Sequence, residues 1–515
     1  MLTSVAASSL PRTPVKNAEN QITITGTPMD NFPDVKRAQF CGTEESAKSN
    51  AFVKEYKIPT QCTQPLAIVP DPDGNIWFTQ TNTGRVAKFD PINEVFTEYE
   101  NAQWPNGTRS MMWGIDYSPD GSLWFTDEAT DGIWKFSIMD KQYSRTAYPK
   151  IKDSLPQRLS VEGSKIIVND FTGSKITFLD PNQSSKGISY LSIPSPVNNS
   201  FTGAFTVDSQ RNIWYTNWVF QKGGVLAKFN QDKFDKSSAG QFENSTIPLF
   251  DLINVYQFPK GMTTPNGVAA ETNGKIWIAD TSSSFFFSFE PNTESFTKYI
   301  TSTPQVSSYG NSSGVIKNPV SRPYWAAFNE DGKLVFNEQT ANRIGVFDPQ
   351  SESLIEYMIP SHNPNWGDCE GMENCGLAQI FDFTISGAKI WFTEWVENNI
   401  GVIDTSLPLF FDVELDNQKI TLKKGEQAHL TLSLIPKGHN ISNLSIVSSN
   451  TAEFSDLVVE NNAQDTFQLD SNNTKTIQVS ISANDNALPD VHKVLIGAQT
   501  DDLVVSKFVT VIIEQ

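Results

Sequence analysis

A recurring pattern of apolar and polar positions runs through most of the chain. Each copy is a tight turn, a strand of alternating apolar residues, a polar loop and a second alternating strand. The seven copies read "DGNIWFTQTNTGRVAKFDP" from Asp73, "DGSLWFTDEATDGIWKFS" from Asp120, "GSKIIVNDFTGSKITFLDP" from Gly163, "RNIWYTNWVFQKGGVLAKFN" from Arg211, "NGKIWIADTSSSFFFSFEP" from Asn273, "DGKLVFNEQTANRIGVFDP" from Asp331 and "GAKIWFTEWVENNIGVID" from Gly387. Another short strand precedes each copy, and most are followed by a fourth, such as "FTEYE" or "LIEYMIP". Four short strands per unit, repeated every ~45–60 residues, predict an all-β, seven-bladed β-propeller.

The seventh copy lacks its fourth strand, and the missing pattern stands upstream of the first copy as "FVKEYKIP", residues 52–59. Pairing this segment onto the seventh unit would close the ring without an exposed sheet edge. We therefore predict a propeller over residues 51–408, closed by strand 52–59. Residues 1–50 precede it and are predicted to form a flexible leader, since they contain no apolar run of the signal-peptide kind.

The chain beyond Pro408 changes character. No Trp occurs there, and about seven short alternating segments follow one another, among them "AHLTLSLIP" and "TKTIQVSIS". This pattern predicts a C-terminal β-sandwich of immunoglobulin or fibronectin type over residues 409–515. Appended domains of this kind act as spacers, docking modules or adhesive units.

Composition narrows the class of partner. The net charge is -19, and the acidic residues are spread along the chain. Because no basic stripe could neutralise phosphates, nucleic acid is excluded as a partner. The sequence also contains no run of about 20 apolar residues that would span a membrane.

The four cysteines form two local pairs, Cys41 with Cys62 and Cys369 with Cys375. Their even number and spacing predict two disulfides and an extracytoplasmic location, secreted or at the cell surface. Thiolate metal ligands in "DCEGMENC" are the alternative, but no second Cys or His pair stands close by.

A Trp recurs at one strand position in five of the copies, at Trp77, Trp124, Trp214, Trp277 and Trp391. We interpret this position as packing between blades rather than as a platform for a ligand. The residue that follows each Trp-Phe-Thr-like triplet ends the strand and opens a loop at one end of the predicted channel. These residues are Gln80, Asp127, Asp170, Asn217, Asp280, Glu338 and Glu394.

Two interpretations of this acidic rim remain open. Converging carboxylates repel one another unless a cation compensates, and oxygen-only ligands favour Mg²⁺ or Ca²⁺. The alternative is that each side chain caps the backbone N–H groups of its own loop. The predicted metal ligands are Asp127, Asp170, Asp280, Glu338 and Glu394.

A second ring of positions lies where each innermost strand begins, namely Leu66, Trp113, Arg158, Gly203, Asn266, Tyr324 and Gln379. With the loop residues Trp218 and Trp395, its aromatic members could form an apolar mouth for a small ligand, and Arg158 supplies a cation. Packing of the same rings between blades is the alternative. The predicted ligand-binding residues are Trp113, Arg158, Trp218, Asn266, Tyr324, Gln379 and Trp395.

Histidines are scarce, and only His362 falls in the predicted propeller. No Ser/His/Asp set or His-rich metal site can therefore be assembled within the seven blades. Cysteine catalysis is also disfavoured, because each cysteine has a predicted partner.

Copies such as "PNGVAAETNGKIWIAD" and "IWFTEWVENNIGVID" resemble the virginiamycin B lyase (streptogramin lyase) propellers over roughly residues 50–408. The resemblance implies the fold, and it implies a Mg²⁺-assisted elimination that opens a cyclic depsipeptide antibiotic. Glu338 and Glu394 match acidic loop positions of that family. Where the family places its histidines, this chain has Asn266, Tyr324 and Gln379, and Trp395 follows Glu394. The imidazole general base of the family is therefore missing.

Two hypotheses follow from these features. The first is a secreted or cell-surface protein that binds a small molecule, a glycan or a protein partner at the central funnel. The second is a Mg²⁺- or Ca²⁺-dependent lyase or lactonase-type hydrolase that uses the acidic rim, with Glu394 or Glu338 as the catalytic base.

Overall fold

The computed structural model describes residues 15–16, 22–23, 41–42, 46–130, 132–148, 154–180, 189–219, 222–237, 252–305, 320–366, 369, 375–453 and 455–514. Most of the predicted leader lies outside these ranges. Within it, β1 (Val15–Lys16) pairs antiparallel with β2 (Ile22–Thr23).

Residues 53–404 form seven four-stranded antiparallel units, and the apolar residues of the second and third strands of each unit are almost all buried. Blades 1 to 3 comprise β4 (Pro65–Pro70), β5 (Ile76–Gln80), β6 (Arg85–Asp90), β7 (Val95–Tyr99), β8 (Ile115–Ser118), β9 (Ser122–Asp127), β10 (Gly132–Ser137), β11 (Gln142–Ala147), β12 (Pro156–Glu162), β13 (Lys165–Asp170), β14 (Lys175–Asp180) and β15 (Ser189–Pro194). Blades 4 and 5 comprise β16 (Phe201–Val207), β17 (Asn212–Val219), β18 (Gly223–Asn230), β19 (Ile253–Gln257), β20 (Pro265–Ala270), β21 (Ile276–Asp280), β22 (Phe285–Glu290) and β23 (Ser295–Ile300), with helix α1 (Gln231–Ser237) between β18 and β19.

Blades 6 and 7 comprise β24 (Pro323–Phe328), β25 (Leu334–Glu338), β26 (Arg343–Asp348), β27 (Ser353–Met358), β28 (Ile380–Ser386), β29 (Lys389–Glu394), β30 (Asn399–Asp404) and the N-terminal strand β3 (Val53–Lys57), with a short 3-10 helix at Pro364–Trp366. β3 pairs antiparallel with β30, so the seventh blade takes its outermost strand from the beginning of the chain. The first strands of neighbouring blades, such as β16 and β20 or β28 and β4, lie side by side. They therefore surround a central channel.

The Trp-Phe-Thr repeat joins each blade to the next one. Trp77 packs against Phe136 of blade 2, with ring centroids 6.0 Å apart, and Trp391 packs against Phe89 of blade 1 at 5.7 Å. The Thr or Asn two positions after the Trp donates its side-chain hydrogen bond to a backbone carbonyl of the next blade. These bonds run from Thr79 to Met112, Thr126 to Gln157, Asn169 to Thr202, Thr216 to Pro265, Asn337 to Ile380 and Thr393 to Leu66. The last of them closes the ring between blades 7 and 1.

Six innermost strands contain a β-bulge after their first or second residue. Their register with the second strand shifts between Pro65 and Ile68, Pro156 and Leu159, Thr202 and Phe205, Pro265 and Gly267, Pro323 and Ala326, and Ile380 and Phe383. A bulge redirects the side chains at the site of the shift. In this molecule the bulged residues are the ones that fill the channel.

The C-terminal strands are β31 (Phe411–Leu415), β32 (Lys419–Lys423), β33 (Gln427–Pro436), β34 (Ile441–Asn450), β35 (Leu457–Asn461), β36 (Phe467–Leu469), β37 (Lys475–Ala483), β38 (Asp490–Gln499) and β39 (Leu503–Glu514). β31, β33, β37 and β35 form one sheet, while β32, β39, β38, β34 and β36 belong to a larger sheet. Residues of both sheets share one apolar core. The immunoglobulin or fibronectin character of this region stays a prediction.

The larger C-terminal sheet continues into the propeller. β39 pairs antiparallel with β27, the outermost strand of blade 6, from Ser353↔Lys507 to Tyr357↔Leu503. Lys493 adds an ion pair to Glu352, with its Nζ 2.5 Å from the carboxylate. The C-terminal region is thus joined to blade 6 by backbone hydrogen bonds, which hold it in one orientation.

Candidate functional site in the central channel

Three aromatic rings meet in the upper part of the channel, at the end where the second strands finish. Trp113 of blade 2 lies 5.3 Å from Phe381 of blade 7 and 6.5 Å from Tyr324 of blade 6, measured between ring centroids. Blades 2 and 6 are not neighbours, so these contacts cross the channel. All three residues are at most 1% exposed. The aromatic mouth that the sequence predicted is therefore a packed layer of rings.

A polar layer lies one residue further along the innermost strands. Arg158 of blade 3 donates from Nη1 to Oδ1 of Asp382 in blade 7 at 2.6 Å, and its guanidinium lies 4.9 Å from the ring centroid of Trp325. Burial raises the pKa of Asp382, although Arg158 acts in the opposite direction. This ion pair spans the channel beneath the aromatic layer.

The bulges correct the sequence alignment of the channel ring by one residue in blade 3 and by two residues in blade 7. The backbone N–H groups of Ala67, Arg158 and Trp325 each donate to the Thr or Asn of their own second strand, at 2.7 to 3.0 Å. Arg158 is therefore equivalent to Trp325, whereas Gln157 is equivalent to Tyr324. In blade 7, Gln379 precedes β28, and Phe381 occupies the channel position.

The three aspartates of the acidic rim are hydrogen-bonded within their own blades. Asp127 accepts from the Trp134 indole at 3.0 Å, and Asp170 accepts from the backbone N–H groups of Leu155 and Gly173 at 2.7 and 2.8 Å. Asp280 accepts from the Thr264 N–H at 2.8 Å and from the hydroxyl groups of two loop serines. Each carboxylate caps a loop as the loop-capping interpretation describes.

Glu338 belongs to a buried ion network in blade 6. Arg343 Nη2 lies 2.8 Å from Glu338 and 3.2 Å from Glu356, and all three side chains are at most 1% exposed. Burial raises the pKa of Glu338 to about 8, with Glu356 adding to the rise and Arg343 opposing it. One guanidinium thus serves two buried carboxyl groups.

Glu394 occupies the same place in blade 7 without a cation. Asn399 stands where blade 6 has Arg343, and its amide donates to Glu394 at 2.7 Å. Burial, followed by the nearby Glu55 and Glu397, raises the pKa of Glu394 well above its ordinary value. These surroundings favour the protonated form of Glu394 over the ionised form.

The remaining predicted residues lie around the upper loops. Trp395 packs against Phe381 with ring centroids 5.4 Å apart, and Trp218 packs against Phe201 at 4.8 Å. His362 lies near the loop backbone, with Nδ1 2.9 Å from the carbonyl oxygen of Gly376. In these contacts the two tryptophans pack against other aromatic rings, and His362 contacts the loop backbone.

Four buried polar side chains form a polar rim at this end of the channel, and two of them, Arg322 and Gln339, were not predicted from the sequence. Arg322, Gln339, Gln379 and Asn266 are each at most 6% exposed. Within the described part of the chain, Nε and Nη1 of Arg322 and the amide atoms of the other three have no hydrogen-bond partner. Arg322 and Gln379 also have left-handed φ angles, 56° and 59°, which are uncommon for such residues.

Hydrogen bonds connect the loops that carry three members of the polar rim, Arg322, Gln339 and Gln379. The Gln339 N–H donates to the Arg322 carbonyl at 3.1 Å. The loop that follows Gln339 reaches blade 7, where Asn342 accepts from the N–H of Ala378, the residue before Gln379, at 2.9 Å. The motif "SRPYW" could have revealed this place, because it aligns with "TQPLA" in blade 1 and puts Arg322 just before the innermost strand.

A sequence profile of the virginiamycin B lyase family matches residues 45–287, from ahead of the closing strand into the fifth blade. The chain carries a virginiamycin B lyase-type propeller. Selenomethionine-substituted virginiamycin B lyase from Staphylococcus aureus is similar in structure, with a TM-score of 0.50 and 17% sequence identity over 68% of this chain and 98% of that one. A streptogramin B lyase structure matches with a TM-score of 0.50 and 18% identity over 69% and 99% of the two chains. No curated protein sequence matches.

The residues of this virginiamycin B lyase-type propeller do not fit the Mg²⁺ of the resemblance. Within the described residues, no group of three or more His, Cys, Asp or Glu side chains converges as a metal site. The guanidinium of Arg343 already occupies the space beside Glu338, and burial disfavours the ionised form of Glu394. A divalent cation would need ionised oxygen ligands at both places.

Thermal unfolding gives a direct check of this mismatch. We expect millimolar Mg²⁺ or Ca²⁺ to change the Tm at pH 7 by less than about 1 °C, because a ligand stabilises only the state that binds it. EDTA should be equally without effect. A cation-dependent rise of several degrees that is lost in the Glu338→Gln variant would contradict the expectation and restore the acidic rim as a metal site.

Proposed function

We propose that this protein is an extracytoplasmic binding protein that holds a small carboxylate-bearing ligand, such as an acidic sugar, at the polar rim of its propeller. Two disulfides, Cys41–Cys62 and Cys369–Cys375, support an oxidising environment. No helix in the described part of the chain has the length and apolar composition required to cross a bilayer.

The proposal rests on Arg322, a buried arginine without an ionic partner among the described residues. Its side chain is 6% exposed, yet two of its nitrogens have no acceptor in the described residues, and no carboxylate there pairs with it. A buried cation without a counter-charge costs several kcal/mol, so such a residue is retained where an anion arrives from outside. A planar guanidinium binds a carboxylate through two parallel hydrogen bonds.

The other members of the polar rim are neutral amides. Gln339, Gln379 and Asn266 offer both donors and acceptors, a combination that suits the hydroxyl groups of a sugar. The aromatic layer of Trp113, Tyr324 and Phe381 closes the channel beneath them. A polar rim over an apolar floor is the usual composition of a small-molecule site.

The burial of Glu394 and the ion pair of Glu338 favour a binding function over a catalytic one. A general base must be ionised and within reach of its substrate, whereas burial disfavours the ionised form of Glu394 and Glu338 is engaged by Arg343. Only the resemblance to the lyase family still supports the lyase or lactonase hypothesis.

The Arg322→Gln variant tests the proposal. A ligand-binding role predicts that the variant without ligand is as stable as the wild type or more stable, because a buried unpaired charge is removed. Isothermal titration with galacturonate should show binding to the wild type and at least a tenfold loss in the variant. Galactose, which lacks the carboxylate, should bind weakly to both proteins.

Arg85→Gln provides the matched control, since Arg85 forms an ion pair with the exposed Glu100 on the side of blade 1. Its affinity for galacturonate should equal that of the wild type. If Arg322→Gln lowers the Tm by several degrees and leaves galacturonate binding unchanged, Arg322 has a structural role and the proposal fails.

A further inference from the structure

A separate cavity lies in the lower half of the channel, at the end opposite the polar rim. It has a volume of about 260 Å³ and is bordered by the innermost strands of blades 4, 5 and 6, with Arg158 of blade 3 reaching in. The lower halves of these strands are rich in alanine, including Ala204, Ala270, Ala326 and Ala327. Blades 1 and 7 have larger residues there, such as Ile68 and Phe383. The small side chains leave the space that the cavity occupies.

Most side chains that border the cavity are apolar, although polar atoms form the larger share of its exposed lining. Two hydrogen-bond donors stand at its inner end. Trp325 is 2% exposed, and its indole N–H has no acceptor within the described residues. Arg158 uses Nη1 for Asp382, and its guanidinium lies against the Trp325 ring. A buried indole N–H normally has a partner, so a missing acceptor is an indication of a missing ligand.

Charge restricts the class of ligand. The guanidinium of Arg158 is already compensated by Asp382, whose side chain is 3% exposed. Asp116, whose carboxylate accepts from the Val161 N–H at 2.7 Å, adds a second acid near Arg158. An anionic ligand would be repelled by these carboxyl groups, and a cationic ligand would be repelled by the guanidinium. An uncharged ligand with an acceptor atom satisfies the donors without either cost.

The outer end of the cavity is partly open to solvent, since Ala326, Ala327 and Phe328 are only half-buried. Access therefore does not pass through the aromatic layer that closes the channel above. The volume suits a small molecule rather than a polymer chain.

We propose that this lower cavity is a second binding site, which takes an uncharged, mainly apolar small molecule carrying a carbonyl group. The carbonyl oxygen accepts from the Trp325 indole N–H and from Arg158, and the apolar part packs against the alanines, Val268 and Phe205. The site is independent of the polar rim, because the aromatic layer separates the two.

Three compounds of one shape test the assignment, namely 3-phenylpropionamide, 3-phenylpropionate and propylbenzene, each followed by ligand-observed NMR and isothermal titration. The amide should bind at least tenfold more tightly than the carboxylate, because Asp382 repels the latter. It should also bind about threefold to tenfold more tightly than the hydrocarbon, which corresponds to one net hydrogen bond. Absence of saturable amide binding, or equal binding of the carboxylate, would overturn the proposal.

Two variants locate the binding. Ala327→Leu fills the cavity from a half-buried position and should abolish amide binding, whereas Ala388→Leu in an exposed turn should not change it. Trp325→Phe keeps an aromatic ring and removes the N–H, so it should reduce amide affinity to the level of propylbenzene in the wild type. If Ala327→Leu, folded by circular dichroism, binds the amide like the wild type, the ligand lies elsewhere and the assignment is wrong.

Discussion

Replacing Arg343 with methionine is expected to lower the free energy of unfolding of the propeller by about 3–5 kcal/mol at pH 7, the usual cost of breaking a buried ion network by removing one partner. Arg343 is 1% exposed in its side chain and is the cation next to both Glu338 and Glu356. Without it, two carboxyl groups remain in a low-dielectric interior. Glu338 can escape part of the cost by protonation, so the loss should be smaller at pH 5 than at pH 8.

Urea unfolding followed by tryptophan fluorescence measures this loss in the propeller alone, because all 12 tryptophans precede residue 409. Arg211→Met is the matched control, since Arg211 forms exposed ion pairs with Asp232 and Asp235. Exposed pairs of this kind contribute roughly 0–1 kcal/mol. Equal losses for the two variants would show that Glu338 and Glu356 do not depend on Arg343.

Replacing Glu394 with glutamine is expected to stabilise the propeller at pH 8 and to flatten the dependence of its stability on pH. The pKa of Glu394 in the folded state lies well above its ordinary value. The folded protein therefore holds a proton that the unfolded chain, with a carboxyl pKa of about 4.3, releases. The contribution of Glu394 to the free energy of unfolding is therefore greatest below about pH 4 to 5. It declines by about 1.4 kcal/mol per pH unit, for the one proton involved, as the pH rises towards the folded pKa.

Blade 1 already has a glutamine at the position equivalent to Glu394. Gln80 ends its second strand as Glu394 does in blade 7, and its amide donates to Glu98 at 2.5 Å. Glu98 and Glu55 occupy equivalent places, each opposite a small residue of the third strand, Ala87 and Gly401. A glutamine at position 394 can therefore donate to Glu55 without needing a proton from solvent.

Unfolding curves of the wild type and Glu394→Gln at pH 5, 6, 7 and 8 test this expectation. The two proteins should be similar at pH 5 and diverge at higher pH, with the variant more stable. Glu98→Gln is the control, because it changes an equivalent place in blade 1 that already contains a neutral amide in Gln80. A Glu394→Gln variant that is less stable than the wild type throughout this range would mean that Glu394 is ionised in the folded protein.

Several features of the fold could be predicted from the repeats alone. Apolar alternation, turn residues and Trp-Phe-Thr-like triplets recur along the chain, because every blade packs between two similar blades. The predicted resemblance to the virginiamycin B lyase propellers is confirmed by the family profile and by the solved structures. The two predicted disulfides are also present in the structure.

Less of the candidate site than of the fold could be predicted from the sequence. Nothing in the composition or spacing marks a β-bulge, so Arg158 was aligned with Tyr324 rather than with Trp325. The acidic rim was identified by position, but whether five carboxyl groups converge or cap separate loops depends on the direction of each side chain. Arg322 was missed because an arginine before a proline has no distinctive pattern, and its isolation is visible only in three dimensions.

The sequence by itself thus determined the strands and their number in each blade, since these follow from local periodicity that repeats along the chain. Only the tertiary structure decided the chemistry. The charge state of Glu394 depends on Glu55, which lies 339 residues away in the chain, and the pairing of Arg158 depends on Asp382 across the channel. Burial and the proximity of distant charges set these states, and neither property exists until the ring of blades has closed.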